Sequence, residues 1–159
     1  MSIQIGDRIP SVTLAHMTAN GPGEISSDAL FGGKKVVLFA LPGAFTPTCS
    51  KAHLPGFVVN ADAIKAAGVD EIVCLSVNDA FVMHAWGEAQ NADAIHMVAD
   101  GSAEFARAVG LDLDLTARGM GVRSQRYSMV VEDGVVTALN VEAPGQFEVS
   151  SAERILELL

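Results

Sequence analysis

The sequence predicts an α/β fold: a central mixed β-sheet flanked by helices, with an N-terminal β extension. Three observations lead there. Residues 35–41 (KVVLFAL) and 71–77 (EIVCLSV) are apolar runs rich in β-branched residues, of the length expected for strands buried on both faces. Each is followed by a segment with helical spacing of apolar residues, which is the order of a parallel sheet. Asp133-Gly134 then falls between two further apolar runs, the signal of a β-hairpin.

Taken in order, residues 1–30 read as short strands around a turn at Gly21-Pro22-Gly23. The strand at 35–41 runs into a Pro/Gly/Thr segment at 42–48. A helix then extends to about residue 67, with Leu54, Phe57, Val58, Ala61 and Ile64 on one face. Gly68 ends it, and Pro55 inside the pattern predicts a kink or interruption. After the strand at 71–77, Asn78 or Asp79 caps a helix over 80–90. A short strand follows at 95–99. Ser102 is expected to cap a brief helix that Gly110 stops. Residues 127–131 and 135–141 are the hairpin strands. Ser150-Ser151-Ala152-Glu153 reads as a capping box opening a last helix. No repeat, linker or low-complexity run interrupts the chain, so one domain is expected over 1–159.

Composition narrows the function. Half of the 159 residues are apolar and 18% are charged, which excludes a disordered chain. Nineteen acidic residues against ten basic ones give a formal charge of -9. Such a surface repels phosphate backbones and anionic lipid. No apolar run reaches the length of a membrane span, and the first residues lack the basic and apolar regions of a signal peptide. A cytosolic protein is expected. The two cysteines, Cys49 and Cys74, are too few for a disulfide scaffold and form no C-x-x-C. No Cys/His set has zinc-site spacing. His16, His53, His84 and His96 are expected at the surface or half-buried.

The segment with chemistry in it is LPGAFTPTCS, residues 41–50. Thr46 is a good N-cap, and Pro47 then falls at the first helical position, where a missing N–H costs nothing. Cys49 follows in the first turn, among unpaired N–H groups at the positive end of the helix dipole. That setting favours thiolate. An unperturbed cysteine, with a pKa of about 8.5, is only a few per cent thiolate at pH 7. Exposed dipole effects of about 0.3 to 1 kcal/mol rarely change this alone, so a nearby cation is needed. Arg118, Arg123 and Arg126 cluster in an otherwise acidic chain, and Arg126 directly precedes a strand. An arginine keeps its charge and donates several hydrogen bonds at once. The bland alternatives stay open at this point: Cys49 as a small buried hydrophobe, and the arginines as a solvated loop.

The pattern P-x-x-x-T-x-x-C at Pro42, Thr46 and Cys49 resembles the peroxiredoxin active-site signature. With HLPGF from His53, EIVCLSVNDAFVMHAWG from Glu71 and RYSMVVEDG from Arg126, the chain resembles the atypical peroxiredoxin 5 subfamily from about residue 3 to its end. The resemblance implies a thioredoxin-like fold and a thiol peroxidase acting on hydrogen peroxide and small organic hydroperoxides. Cys49 would attack the peroxide and become a sulfenic acid. Arg126 would hydrogen-bond sulfur and peroxide, Thr46 would orient the peroxide oxygens, and Pro42 would shield the site. No metal or organic cofactor is implied. Animal members carry a resolving cysteine near the C-terminus, where Val149 stands here. Cys74 matches the second cysteine of plant and bacterial members but lies in a strand expected to be buried. The implied reductant is therefore an outside thiol, glutathione with glutaredoxin first and thioredoxin second. The family also implies a homodimer, with Phe45, Phe81 and Met83 as contacts. Two alternatives on the same fold are a thiol–disulfide oxidoreductase, against which the missing C-x-x-C argues, and a redox-switched binding protein. Gly119-Met120-Gly121 is a broken dinucleotide motif, since Ser124 stands where a third glycine is needed.

Overall fold

The computed structural model describes residues Met1–Leu159. Seven strands form one sheet in the order β2-β1-β5-β4-β3-β8-β9. They are β1 (Thr13–Thr18), β2 (Gly21–Ser26), β3 (Lys35–Ala40), β4 (Glu71–Ser76), β5 (His96–Ala99), β8 (Tyr127–Glu132) and β9 (Val135–Val141). β4 pairs in parallel with β3 and β5; the other neighbours are antiparallel. The mixed sheet is the one expected, and its middle explains why 35–41 and 71–77 carry no polar face. Side chains alternate across a strand. Val37, Phe39 and Leu41 therefore pack on one side, against α2 (Leu54–Ala66), α3 (Ala80–Ala89) and α5 (Ala152–Glu157). Val36, Leu38 and Ala40 pack on the other, with Leu30 and Phe31 of α1 (Ser27–Phe31) and Phe105 of α4 (Glu104–Ala108).

Several local readings are corrected. The first turn is at Ala19-Asn20, and Gly21-Pro22-Gly23 lies inside β2. β2 is an edge strand, where a proline takes no needed donor from the ladder. The short helix α1, capped by Ser26 on the Ala29 amide at 3.1 Å, was not anticipated. Ser102 does not cap α4. The buried Asp100 carboxylate accepts from the Phe105 and Ala106 amides at 3.0 and 2.9 Å instead. Ser151 rather than Ser150 caps α5, on Arg154 N at 3.3 Å. The arginine-rich segment is no loose loop: β6 (Asp112–Leu115) and β7 (Gly121–Ser124) form a separate two-stranded sheet.

The helix after Cys49 begins with a wide turn. Residues Cys49–His53 are π-helical, and Leu54 N donates to the Cys49 carbonyl, one residue further back than in an α-helix. Pro55 thereby falls in the first turn of α2, where its missing N–H is harmless. The carbonyl that a continued wide ladder would leave empty, Ser50 O, accepts from Gln90 Nε2 at 3.3 Å. The interruption predicted from Pro55 is real, but it lies upstream of the proline.

Met83 is not available as a contact with a second copy. It is fully buried on the core face of α3, and its sulfur accepts from Ser76 Oγ at 2.9 Å. Residues two apart on a helix point to opposite sides, which is why Phe81, at 62% exposure, faces out while Met83 faces in.

Candidate active site

Three elements meet around Cys49: the loop after β3, the wide turn, and the start of β8. The loop is held at successive residues. Arg123 Nη1 donates to Pro42 O at 3.1 Å, Thr46 Oγ1 to Gly43 O at 2.7 Å, and Asn78 Oδ1 accepts from Ala44 N at 2.9 Å. A side chain at Gly43 would begin 2.6 Å from the Arg123 guanidinium, so only glycine allows that approach. Phe45 has φ 62, the left-handed region that a bulky residue seldom adopts. Phe45 is 58% exposed.

The chain enters its helix at Pro47, with Ser50 N donating to Thr46 O at 2.9 Å. Thr46 is thus at the N-cap position, but its hydroxyl turns back to Gly43 instead of capping an amide. Its lone pairs stay free to accept. Cys49 is buried, yet its sulfur is not sealed in hydrocarbon: Arg126 Nη2 donates to Sγ at 3.1 Å. Ser50, the next residue, is clamped by α3, since Trp86 Nε1 donates to Ser50 Oγ at 3.0 Å and Gln90 reaches its carbonyl. Trp86 is fully buried.

His53 is the residue that sequence reasoning misjudged. It is fully buried one turn beyond Cys49. Arg126 Nη1 lies 2.8 Å from its Nδ1, and Ser150 O lies 3.0 Å from its Nε2. A guanidinium only donates and a carbonyl only accepts. Nδ1 must therefore carry the lone pair and Nε2 the proton, which fixes one neutral tautomer. Burial, and then the positive charge of Arg126, push the His53 pKa down to about 3. The guanidinium thus spans two acceptors, His53 Nδ1 and Cys49 Sγ, and its orientation is set. The Phe147 ring covers it, 5.8 Å from the guanidinium carbon and 5.0 Å from the His53 ring.

Of the predicted residues, Cys49 and Arg126 are in contact, Thr46 stands three residues before the cysteine with its hydroxyl on Gly43 O, and Pro42 is tied through its carbonyl to Arg123. Arg123 supports the loop, and Arg118 is exposed in the turn between β6 and β7. Cys74 is fully buried in β4, and burial pushes its thiol well above the usual range. The one available signal for His53 was its position four residues after Cys49, on the same helical side. No three His, Cys, Asp or Glu side chains converge as metal ligands. No helix is long and apolar enough to cross a membrane.

The Redoxin family profile matches residues 4–156. Peroxiredoxin-2B of Arabidopsis thaliana is 48% identical over 99% of this chain and 98% of its own. The crystal structure of reduced Prx3 from Vibrio vulnificus in complex with H2O2 is 59% identical, covers 98% of each chain and superimposes with a TM-score of 0.96. Peroxiredoxin 5 from Alvinella pompejana is 33% identical, covers 98% of this chain and 96% of its own, and has a TM-score of 0.86. With a matched profile and relatives aligned over nearly the whole chain, the protein belongs to the redoxin family and, within it, to the peroxiredoxins.

Proposed function

We propose that the chain is a thiol peroxidase that reduces hydrogen peroxide and small organic hydroperoxides, with Cys49 as the reacting sulfur. The observation that carries this reading is the Arg126 Nη2 to Cys49 Sγ contact of 3.1 Å at the start of a helix. The sulfur attacks one peroxide oxygen and the O–O bond breaks. Two electrons leave the sulfur; the departing oxygen takes a proton and leaves as water or an alcohol. Cys49 is left as a sulfenic acid. Charge passes from sulfur to the leaving oxygen, so a fixed donor reaching both positions stabilises the transition state. Arg126 is that donor. The Thr46 hydroxyl, already donating to Gly43 O, accepts from the peroxide, and Pro42 limits water at the mouth.

Two outside thiol groups return the sulfenic acid to thiol, releasing water and a disulfide. Glutathione with glutaredoxin is the first candidate and thioredoxin the second. In support, Cys74 is buried inside the sheet, and Val149 stands where animal peroxiredoxins of this type have their resolving cysteine. The two free thiols suit a reducing, cytosolic setting. Phe45 in the loop of the site and Phe81 on α3 are both exposed, and they are the surface we assign to a second copy in a homodimer.

The test is peroxide consumption by Cys49→Ser and Cys74→Ser, with glutathione, glutaredoxin and thioredoxin compared as reductants. Cys49→Ser is expected to be inactive and Cys74→Ser to keep most turnover. Turnover in Cys49→Ser would end the reading.

A further inference from the structure

We infer that Glu142 is a positioning residue for the reaction, holding the C-terminal strap at 143–150 so that its Ser150 carbonyl orients His53 and, through it, Arg126. The inference rests on the reading of Cys49 and Arg126 as the reacting pair.

Glu142 follows β9 directly. Its backbone amide donates to Arg126 O at 3.0 Å, so it lies across the end of the β8–β9 ladder from that arginine. Its side chain is buried and collects the strap. Both carboxylate oxygens lie 2.9 Å from Glu148 N. One of them also accepts from Val149 N at 2.8 Å, Ser150 N at 2.7 Å and Ser150 Oγ at 2.7 Å. The strap has no helix or strand of its own. Three successive amides would otherwise look for partners in water.

Ser150 is fully buried. With its amide and hydroxyl tied to Glu142, its carbonyl is aimed at His53 Nε2. A continuous hydrogen-bonded path results: Glu142 carboxylate, Ser150, His53, Arg126, Cys49 Sγ. Each link selects the geometry of the next. The Ser150 carbonyl selects the His53 tautomer, and the His53 lone pair selects the rotation of the guanidinium. The same strap lays Phe147 over the guanidinium. Without the carboxylate the amides turn to water, Ser150 O leaves His53, and the ring no longer holds Arg126 to one orientation.

The full-length protein tests this with Glu142→Ala and Glu142→Gln. Two rates are measured, both at a pH high enough that Cys49 is fully thiolate in every variant: oxidation of Cys49 by hydrogen peroxide in stopped flow, and alkylation of Cys49 by iodoacetamide. Arg126 serves the peroxide but does not serve the alkylating agent in the same way. A general loosening of the fold would expose the sulfur and speed alkylation without singling out peroxide. The expected result for Glu142→Ala is a peroxide rate roughly tenfold lower, about 1.4 kcal/mol in the barrier, with alkylation unchanged or faster. Glu142→Gln keeps one acceptor oxygen and should lose less. In a His53→Gln background, Glu142→Ala should add little further loss, because the path is already cut. A peroxide rate within about twofold of wild type, or a loss that multiplies in full with that of His53→Gln, overturns the inference. If Glu142→Ala does not fold, the same criteria apply to Glu142→Gln. Activity retained in Cys49→Ser would instead refute the underlying reading, so the two failures are distinguishable.

Discussion

Acid should weaken this fold through His53 by an amount that the site geometry sets. Unfolded, His53 titrates near its ordinary value of 6.5; folded, it titrates at about 3. Between those values the unfolded chain binds a proton that the native chain refuses, so stability falls as pH falls. The slope is about 1.4 kcal/mol per pH unit. From pH 6.5 to 5 the loss is about 2 kcal/mol, and it approaches roughly 5 kcal/mol near pH 3. Four surroundings set this: burial and the Arg126 charge disfavour the protonated ring, while Ser150 O and the more distant Glu142 carboxylate oppose them in part. Carboxylates whose native pKa is depressed, such as Glu71 and Glu142, also lose stability as pH falls through their native values. They do so with or without His53. Urea unfolding at pH 7 and pH 5 of wild type and His53→Gln therefore isolates the imidazole. Wild type should lose about 2 kcal/mol more than the variant over that interval. Equal losses in the two proteins would refute the neutral, Arg126-facing histidine.

Other perturbations follow from the same geometry. Arg126→Lys should slow peroxide oxidation by about 10²–10³, the cost of losing a preorganised donor, because one ammonium cannot span His53 Nδ1 and Cys49 Sγ; an unchanged stopped-flow rate would remove Arg126 from the mechanism. Gly110→Ala combines φ +72 with a Cβ 2.4 Å from Met1 O. It should cost about 1–3 kcal/mol in denaturant unfolding, and a neutral result would mean that the N-terminal segment yields. Phe45→Ser with Phe81→Ser should shift sedimentation toward the monomer at micromolar concentration. A dimer of wild-type strength would place the interface elsewhere.

Much of this architecture was legible in the sequence, for identifiable reasons. β3 and β4 carry unbroken apolar runs, Val36 to Ala40 and Ile72 to Leu75, because both of their faces are covered. Asp133 and Gly134 both take positive φ, as a tight hairpin between apolar runs requires. Cys49 and Arg126 were candidates from helix-end and strand-start positions, and only the resemblance to the peroxiredoxins singled them out. What was not legible depends on contacts distant in sequence. Ser150 and Ser151 are both competent caps, and only the Glu142 carboxylate, eight positions before Ser150, decides between them. Asp100 displaces Ser102 as a cap because the chain at Ala103 turns left-handed, at φ 58. His53 resembled any lone histidine until folding brought Arg126 and Ser150 to either side of its ring. The short pieces α1, β6 and β7 have too few residues to show a period.

The wide turn after Cys49 has a consequence for how this chain tolerates change in length. Successive residues of a regular helix are rotated by about 100°, so two neighbours cannot both point straight inward. Here His53 and Leu54 are both wholly enclosed, one toward the guanidinium and the other beneath the sheet. The surplus residue absorbs the angular mismatch between them. Removing one residue from positions 50–52 would restore an even winding and force a choice, either the imidazole or the leucine stripe that continues through Phe57, Ala61 and Ile64. The reactive end and the load-carrying body of the helix are thus set to separate phases, joined by a single slack coil.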